Sequence, residues 1–288
     1  MIDFTPRHQY FVGIDSDGCA FDTMELKQKE CFTPNTIKFW GLQGVSKYAR
    51  EACEFVNLYS RSRGINRFPA LVEELDWLAK RPEVKARGVR VEVPQSLREW
   101  IKREKKLANA TLEQEVERTQ DPGLRRTLEW SKAINKAVEE MVHDVPPFPL
   151  VRESLQKLQG RADVLVVSAT PQEALEREWA EHDLTQYVAM ICGQELGTKK
   201  DFMALAAKYP AGHALMIGDA LGDYEAAKAN NALFFPINPG AEEQSWRRFY
   251  EEGIERFFGG TFDGSYQQAL LEEFIRRLPD RPPWPVEE

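Results

Sequence analysis

The chain has 288 residues, of which 42% are hydrophobic and 29% are charged, and its formal net charge at pH 7 is −8. This length allows one large domain or two modest ones, and the composition is that of a globular rather than a disordered protein. Because an acidic protein has no basic field that collects polyanions, we expect neither nucleic acid nor a membrane surface as a main partner.

The first predicted element is a short strand, Phe11–Ile14, and Asp15-Ser16-Asp17-Gly18 follows it directly. A run that is apolar on both faces is typical of a buried parallel strand. A single aspartate after a strand is usually a turn former. Two carboxylates this close repel each other unless a cation lies between them, so the pair raises a question of function.

From residue 24 to residue 147 the pattern predicts helices only. Apolar residues recur at helical spacing between Val45 and Tyr59. Ser96–Glu99 and Thr111–Gln114 match capping boxes, and a further helix is predicted over Gly123–Val142. The proline-rich segment His143–Pro149 then ends the helical block.

An arginine-rich loop lies inside this block, in the stretch LYSRSRGINRF. Arg61, Arg63, Asn66 and Arg67 surround Gly64 there, and arginine binds oxyanions through two parallel hydrogen bonds. One interpretation is an anion site, with Arg63 as the candidate substrate-binding residue. The other is a solvated loop with structural ion pairs.

After the prolines, apolar runs alternate with helical patterns of about 10 to 15 residues, which is typical of βαβ units. The predicted strands are Val164–Val167, Tyr187–Ile191, Ala214–Ile217 and Leu233–Ile237. We therefore predict an α/β fold with a doubly wound, mainly parallel sheet. Residues 1–23 and 148–288 would form this core, and residues 24–147 would form an inserted, all-helical cap.

Polar residues follow these strands at their carboxyl ends, where open α/β sheets bind ligands. The second strand ends in Ser168-Ala169-Thr170, and a later one ends in Gly218-Asp219, with Asp223 four residues on. Thr170 also opens a predicted capping box that runs to Glu173. Taken singly, such residues are usually turn formers or helix caps.

The lysine pair Lys199-Lys200 lies in the first turn of a predicted helix, where positive charge opposes the helix dipole. Together with the carboxylates, it indicates phosphoryl chemistry. Carboxylates bind Mg²⁺, and a lysine offsets charge on phosphoryl oxygens. One carboxylate can act as a nucleophile and a second as a general acid and base.

The motifs DSDGCAFDT, VVSAT and IGDALGD, with the Lys199 region between the last two, resemble those of the haloacid dehalogenase superfamily. The resemblance is to its Mg²⁺-dependent phosphatases with a helical cap, such as phosphoglycolate-phosphatase-like and β-phosphoglucomutase-like enzymes. The order and spacing of the motifs match, over residues 10–23 and roughly 148–240. The resemblance implies a Rossmann-like core.

The resemblance also implies catalytic roles. Asp15 would be the nucleophile and Asp17 the general acid and base. Ser168 would hydrogen-bond the transferring phosphoryl group, and Lys199 would hold nucleophile and phosphate together. Lys200 is the alternative lysine, because the proline that usually follows the lysine is missing.

For the metal, the resemblance implies that Mg²⁺ binds to Asp15, Asp219 and the backbone carbonyl of Asp17. Asp223 is a further candidate metal residue, and it would orient the lysine or a water on the metal. Ala169 would join Ser168 in binding the substrate.

We therefore expect a cytoplasmic enzyme that hydrolyses a small soluble phosphomonoester, such as a sugar phosphate or a phosphoglycolate-like ester, through an aspartyl phosphate. The alternatives are a β-phosphoglucomutase-type phosphomutase and a non-catalytic phosphate-binding or regulatory module. A dehalogenase proper is disfavoured, because Asp17 supplies acid chemistry that cleavage of a carbon–halogen bond does not need. The identity of the ester stays open, because the predicted cap is long and about 45 residues after Pro239 have no counterpart in the smallest relatives. No motif indicates an oligomeric state.

Two further features support the cytoplasmic expectation. The N-terminal MIDFTPRHQY lacks a basic start and an apolar h-region, so no signal peptide is expected. The four cysteines form no CxxC pair, which favours reduced thiols over a disulfide framework or a zinc site.

Overall fold

The computed structural model describes residues 3–287, and the chain divides into two compact units. An α/β unit comprises Met1–Met24 and Asp144–Leu278, and a helical unit comprises Glu25–His143 and Pro279–Glu288. No strand lies within residues 25–143, all of which the structure describes.

The strands are β1 (Tyr10–Ile14), β2 (Ala162–Val167), β3 (Met190–Cys192), β4 (Ala214–Gly218) and β5 (Leu233–Pro236). The first helices in chain order are α1 (Thr23–Leu26), α2 (Thr33–Phe39), α3 (Ser46–Leu58), α4 (Arg67–Ala79), α5 (Pro82–Ala86), α6 (Gln95–Arg103), α7 (Asn109–Thr119) and α8 (Pro122–Met141). The later ones are α9 (Val151–Leu158), α10 (Gln172–Glu181), α11 (Lys199–Met203), α12 (Leu221–Ala229), α13 (Glu242–Arg248), α14 (Ile254–Phe258) and α15 (Ser265–Arg277). Short 3-10 segments cover Gln43–Val45, Thr185–Tyr187 and Ala204–Lys208, and π-helical segments cover Lys27–Phe32 and Phe249–Gly253.

The five strands form one parallel sheet in the order β3-β2-β1-β4-β5, which confirms the predicted fold class. In the central strand, Gly13 is in register with Leu165 of β2 and with Met216 of β4. Successive strands are added on one side of β1 and then, from β4 onward, on the other. Such a reversal opens a crevice beyond the carboxyl ends of the two strands that flank it, here β1 and β4.

Both faces of the sheet are packed, as expected of a parallel sheet covered by helices. Val12 and Ile14 lie in one buried cluster with Trp246, whereas Phe11 lies in another with Phe202. Neighbouring residues of a strand point to opposite faces, so β1 contributes to both clusters. Each such buried side chain stabilises the fold by about 1.5–3 kcal/mol relative to an exposed one.

The helical unit has its own aromatic core. Phe68 packs edge-to-face on Trp100 with ring centroids 5.0 Å apart, and Trp40 packs in the same way on Trp130 at 5.8 Å. The predicted capping box at Ser96 is wrong. Helix α6 starts at Gln95 without a side-chain cap, because the Ser96 hydroxyl donates to Asp121 at 2.7 Å.

The C-terminal segment Pro279–Glu288 groups with the helices, whereas the sequence-based division placed residues 148–288 in the α/β core. The Trp284 ring packs against Phe55 with centroids 5.5 Å apart, and the Arg81 guanidinium lies 4.4 Å from the centre of the Trp284 ring. The backbone N–H of Glu287 donates to the Lys80 carbonyl at 2.9 Å. These contacts all join the tail to the helical unit.

No helix in the described part of the chain is long and apolar enough to cross a membrane.

Candidate active site

Four charged side chains meet beyond the carboxyl ends of β1 and β4. The Lys199 ammonium donates to Asp15 Oδ2 at 2.5 Å and to Asp223 Oδ1 at 2.6 Å. Asp15, Asp219 and Asp223 are buried, and each offers an oxygen within 4.8 Å of the others. The structure therefore brings together four of the residues that the sequence singled out.

Backbone contacts position the two carboxylates that Lys199 touches. The N–H of Asp15 donates to the Ile217 carbonyl at 3.0 Å, which extends the β1–β4 ladder by one residue. Asp223 lies in the first turn of α12, and its Oδ2 accepts from the backbone N–H groups of Asp219 at 3.2 Å and Ala220 at 3.1 Å. The first turn of a helix favours such an acid.

A close approach at Gly218 keeps Asp223 in place. A Cβ atom on Gly218 would lie 2.4–2.5 Å from the Asp223 side chain, well inside van der Waals contact. Only glycine therefore fits between the end of β4 and the Asp223 carboxylate.

The electrostatics of this cluster favour an added cation. Burial raises the pKa of Asp15 well above its usual range; Lys199 lowers it, and Asp223 and Asp219 raise it further. Burial acts to lower the pKa of Lys199, but the three carboxylates raise it above its usual value, so the ammonium is retained. Crowding of three buried carboxylates disfavours their charged forms, and a divalent cation at this point would favour them. The donors are hard oxygens, so the residues fit Mg²⁺.

Asp17 lies outside this acidic cluster and is held by two hydroxyl groups. Thr23 Oγ1 donates to Asp17 Oδ1 at 2.5 Å, and Thr170 Oγ1 donates to Asp17 Oδ2 at 2.7 Å. The predicted capping box at Thr170 is therefore wrong. Helix α10 starts at Gln172 without a side-chain cap, because the Thr170 hydroxyl bonds to Asp17 instead. Sequence reasoning missed Thr23 altogether.

Ser168 and Ala169 follow β2 at the same edge of the sheet. Ser168 is buried, its N–H donates to the Cys192 carbonyl at 3.0 Å, and its Oγ accepts from the Thr170 N–H at 3.3 Å. Ala169 is exposed. Their roles in substrate binding stay predictions.

The geometry distinguishes the two lysines. Thr198 caps α11 by accepting from the Asp201 N–H at 3.2 Å, so Lys199 is the first helical residue, and its side chain reaches Asp15. Lys200 is exposed. The sequence left both open, and the structure places Lys199 beside the candidate nucleophile.

The arginines of the loop in the helical unit have separate partners. Arg61 pairs with Asp280 at 2.9 Å, and Arg67 donates to Asn135 at 2.6 Å. Arg63 is buried and donates to the Leu58 carbonyl at 2.9 Å. The contacts of Arg61 and Arg67 favour the structural interpretation for these two, whereas substrate binding by Arg63 stays a prediction.

The model of the haloacid dehalogenase-like hydrolase family matches residues 20–231. This match covers more than half of the chain, and the chain belongs to the haloacid dehalogenase-like hydrolase family. The resemblance inferred from the motifs is confirmed. The match begins after Asp15 and Asp17, whose placement rests on the structure itself.

Solved structures of low sequence identity are similar to the chain. A candidate phosphoglycolate phosphatase of Lactobacillus delbrueckii is 16% identical, with 86% of this chain and 98% of that chain covered and a TM-score of 0.48. A haloacid dehalogenase-like family hydrolase of Streptococcus pneumoniae is 15% identical, with 84% and 90% covered and a TM-score of 0.46. A candidate β-phosphoglucomutase of Thermotoga maritima is 18% identical, with 79% and 84% covered and a TM-score of 0.42. Among curated proteins, none matches this chain.

Proposed function

We propose that this hydrolase is a Mg²⁺-dependent phosphatase that cleaves a small soluble phosphomonoester through an aspartyl-phosphate intermediate. The observation that carries the proposal is the position of the Lys199 ammonium, 2.5 Å from Asp15 and 2.6 Å from Asp223. A preorganised cation beside a carboxylate nucleophile stabilises the charge that develops on transferring phosphoryl oxygens.

In the first step, an Asp15 carboxylate oxygen attacks phosphorus. The new bond from Asp15 to phosphorus forms as the bond from phosphorus to the ester oxygen breaks, and Asp17 gives its proton to the leaving oxygen. In the second step, a water oxygen attacks the same phosphorus and Asp17 takes the water proton. The bond to Asp15 then breaks, and inorganic phosphate leaves.

The hydroxyl groups around Asp17 support its role as the proton carrier. Thr23 and Thr170 hold the Asp17 carboxylate from two sides, one hydroxyl on each oxygen, which orients it. Asp15 thus accepts from the Lys199 ammonium, whereas Asp17 accepts from two hydroxyl groups. Such a difference in environment lets two neighbouring carboxylates take different tasks.

The carboxylates of Asp15, Asp219 and Asp223 and the backbone carbonyl of Asp17 would hold Mg²⁺. The ion would offset negative charge on the phosphoryl oxygens when bound. Lys199 and the metal would then share the neutralisation of the transferring group.

The test is phosphate release from a panel of phosphate esters, including sugar phosphates and phosphoglycolate, by the purified protein with Mg²⁺. Asp15→Asn is the matched variant, since it keeps the shape of the side chain and removes the nucleophilic carboxylate. We expect release that stops in excess chelator and in Asp15→Asn. Equal release by Asp15→Asn and the wild type would refute the proposal.

A further inference from the structure

A second contact network holds the segment between the two candidate catalytic acids. Ser16, which separates Asp15 from Asp17, is fully buried. Its Oγ donates to Glu178 Oε2 at 2.7 Å and accepts from Trp179 Nε1 at 2.9 Å. Both partners lie on α10, more than 160 residues further along the chain.

The backbone of Ser16 is held as well. Its carbonyl accepts from the N–H groups of Ala20 at 2.9 Å and Phe21 at 3.1 Å, which closes the turn after β1. The Phe21 ring also packs edge-to-face on Trp179, with centroids 5.7 Å apart. Helix α10 therefore touches this turn both through Ser16 and through Phe21.

The direction of these contacts matters for the acids. Neighbouring side chains of an extended segment point to opposite sides. Ser16 points to α10, while Asp15 on one side of it contacts Lys199 and Asp17 on the other contacts two threonines. The Ser16 N–H also donates to Asp15 Oδ1 at 2.8 Å. An anchor on the Ser16 side chain thus bears on the orientation of both neighbouring acids.

We propose that Glu178 is a positioning residue that acts through the Ser16 hydroxyl to hold Asp15 and Asp17 in their reacting orientation. This inference rests on the proposed phosphatase function. The Glu178 carboxyl oxygen is the acceptor of the Ser16 hydroxyl proton, at 2.7 Å. Without it, the Ser16 hydroxyl keeps only Trp179, and the segment between the acids loses its link to the carboxylate of α10.

The test compares Glu178→Ala, Glu178→Gln and the control Glu176→Ala, which removes a carboxylate bonded to Gln172 of the same helix. We expect kcat and kcat/KM of Glu178→Ala to fall together by about 10- to 100-fold, as for a small misplacement of reacting groups. Glu178→Gln keeps an acceptor oxygen for Ser16 and should regain most of kcat. Glu176→Ala should match the wild type. A kcat of Glu178→Ala equal to that of Glu176→Ala would overturn the inference.

A double-mutant cycle with Ser16→Ala separates positioning from a general effect on the fold. If Glu178 acts through the Ser16 hydroxyl, Ser16→Ala should lose at least as much kcat as Glu178→Ala, since it also removes the Trp179 contact. The double variant should lose no more than Ser16→Ala alone. Multiplied losses would overturn the inference. Should Glu178→Ala fold poorly, the smaller change Ser16→Ala carries the same comparison with the wild type.

Hydrogen exchange distinguishes this inference from failure of the proposed function. If the wild type releases phosphate from no ester, the proposed function fails, and the anchor is judged on the peptide that contains Asp15, Ser16 and Asp17. Faster exchange of this peptide in Glu178→Ala than in Glu176→Ala would support the anchor. Equal exchange would overturn it.

Discussion

Replacing Glu74 in the core of the helical unit should stabilise the protein at neutral pH. Glu74 is 4% exposed, and its Oε1 accepts from Asn57 Nδ2 at 2.6 Å while its Oε2 lies 3.2 Å from Cys53 Sγ. Burial raises the pKa of Glu74 from its ordinary 4.5 to about 7, against the opposing effect of the Asn57 and Cys53 hydrogen bonds. Burial of a carboxylate without a cation disfavours its charged form.

The sign of the pH dependence follows from proton linkage. Between pH 4.5 and about 7 the folded protein keeps a proton on Glu74 that the unfolded chain has lost. The free energy of unfolding therefore falls as pH rises through this window. The stabilising contribution of the Glu74 proton to the folded state is fully present below about pH 4.5 and is gone above about pH 7. At about 1.4 kcal/mol per pKa unit, it amounts to about 3 kcal/mol.

Glu74→Gln removes this titration and keeps an acceptor for Asn57. The free energy of unfolding of the variant minus that of the wild type should therefore rise by about 2.5 kcal/mol between about pH 5 and about pH 8. Urea denaturation followed by tryptophan fluorescence suits the measurement, because five of the seven tryptophans lie in the helical unit: Trp40, Trp77, Trp100, Trp130 and Trp284.

The control is Glu73→Gln, which removes the neighbouring, only partly buried carboxylate. It should not reproduce the pH-dependent gain of Glu74→Gln. A stability difference between Glu74→Gln and the wild type that stays constant from acid to neutral pH would refute the reasoning.

Three further changes test other parts of the structure. Gly218→Ala should displace Asp223, because the new Cβ would lie 2.4–2.5 Å from that side chain. Kinetics should show a kcat lowered by about 100-fold, and circular dichroism should show the fold retained. An unchanged kcat would show that the site tolerates the shift. Asp219→Asn should weaken Mg²⁺ affinity without lowering the melting temperature, since one of three crowded carboxylates is neutralised. Titration calorimetry measures the affinity, and an unaltered value would exclude Asp219 as a ligand. Trp284→Ala should lower the free energy of unfolding of the helical unit by about 2 kcal/mol in urea denaturation, since Arg81 loses its stacking partner. An unchanged free energy of unfolding would mean that the tail packs without energetic consequence.

The sheet could be predicted from the sequence because its signals are local. The apolar run Phe11–Ile14 and its later counterparts are short and flanked by turn residues, and they became parallel strands in the structure. The meeting of Asp15 with Asp219 could be anticipated for the same reason, since parallel strands end at one edge of a sheet. The weakest predicted strand, Tyr187–Ile191, is shorter in the structure and lies further along the chain, at Met190–Cys192 on the edge of the sheet.

The features that could not be predicted from the sequence involve side chains whose partners lie far away in the chain. Thr170 matches a capping box locally, but its hydroxyl bonds to Asp17, 153 residues earlier. Ser16 carries no motif signal for its bond to Glu178. The tail around Trp284 shows no helical or strand period, so its packing on the helical unit could not be inferred from pattern alone.

The most direct test of the central claim is covalent labelling of Asp15. Asp17→Asn keeps the nucleophile but cannot activate water, so hydrolysis of the aspartyl phosphate should slow by about 10²- to 10⁴-fold. With p-nitrophenyl phosphate, whose leaving group needs no proton, we expect the intermediate to accumulate. Mass spectrometry of the quenched variant should then show one added phosphoryl group on the peptide containing Asp15, and none in the Asp15→Asn/Asp17→Asn double variant. Phosphate release by the wild type, with no phosphoryl group on that peptide in Asp17→Asn at any time, would contradict the account.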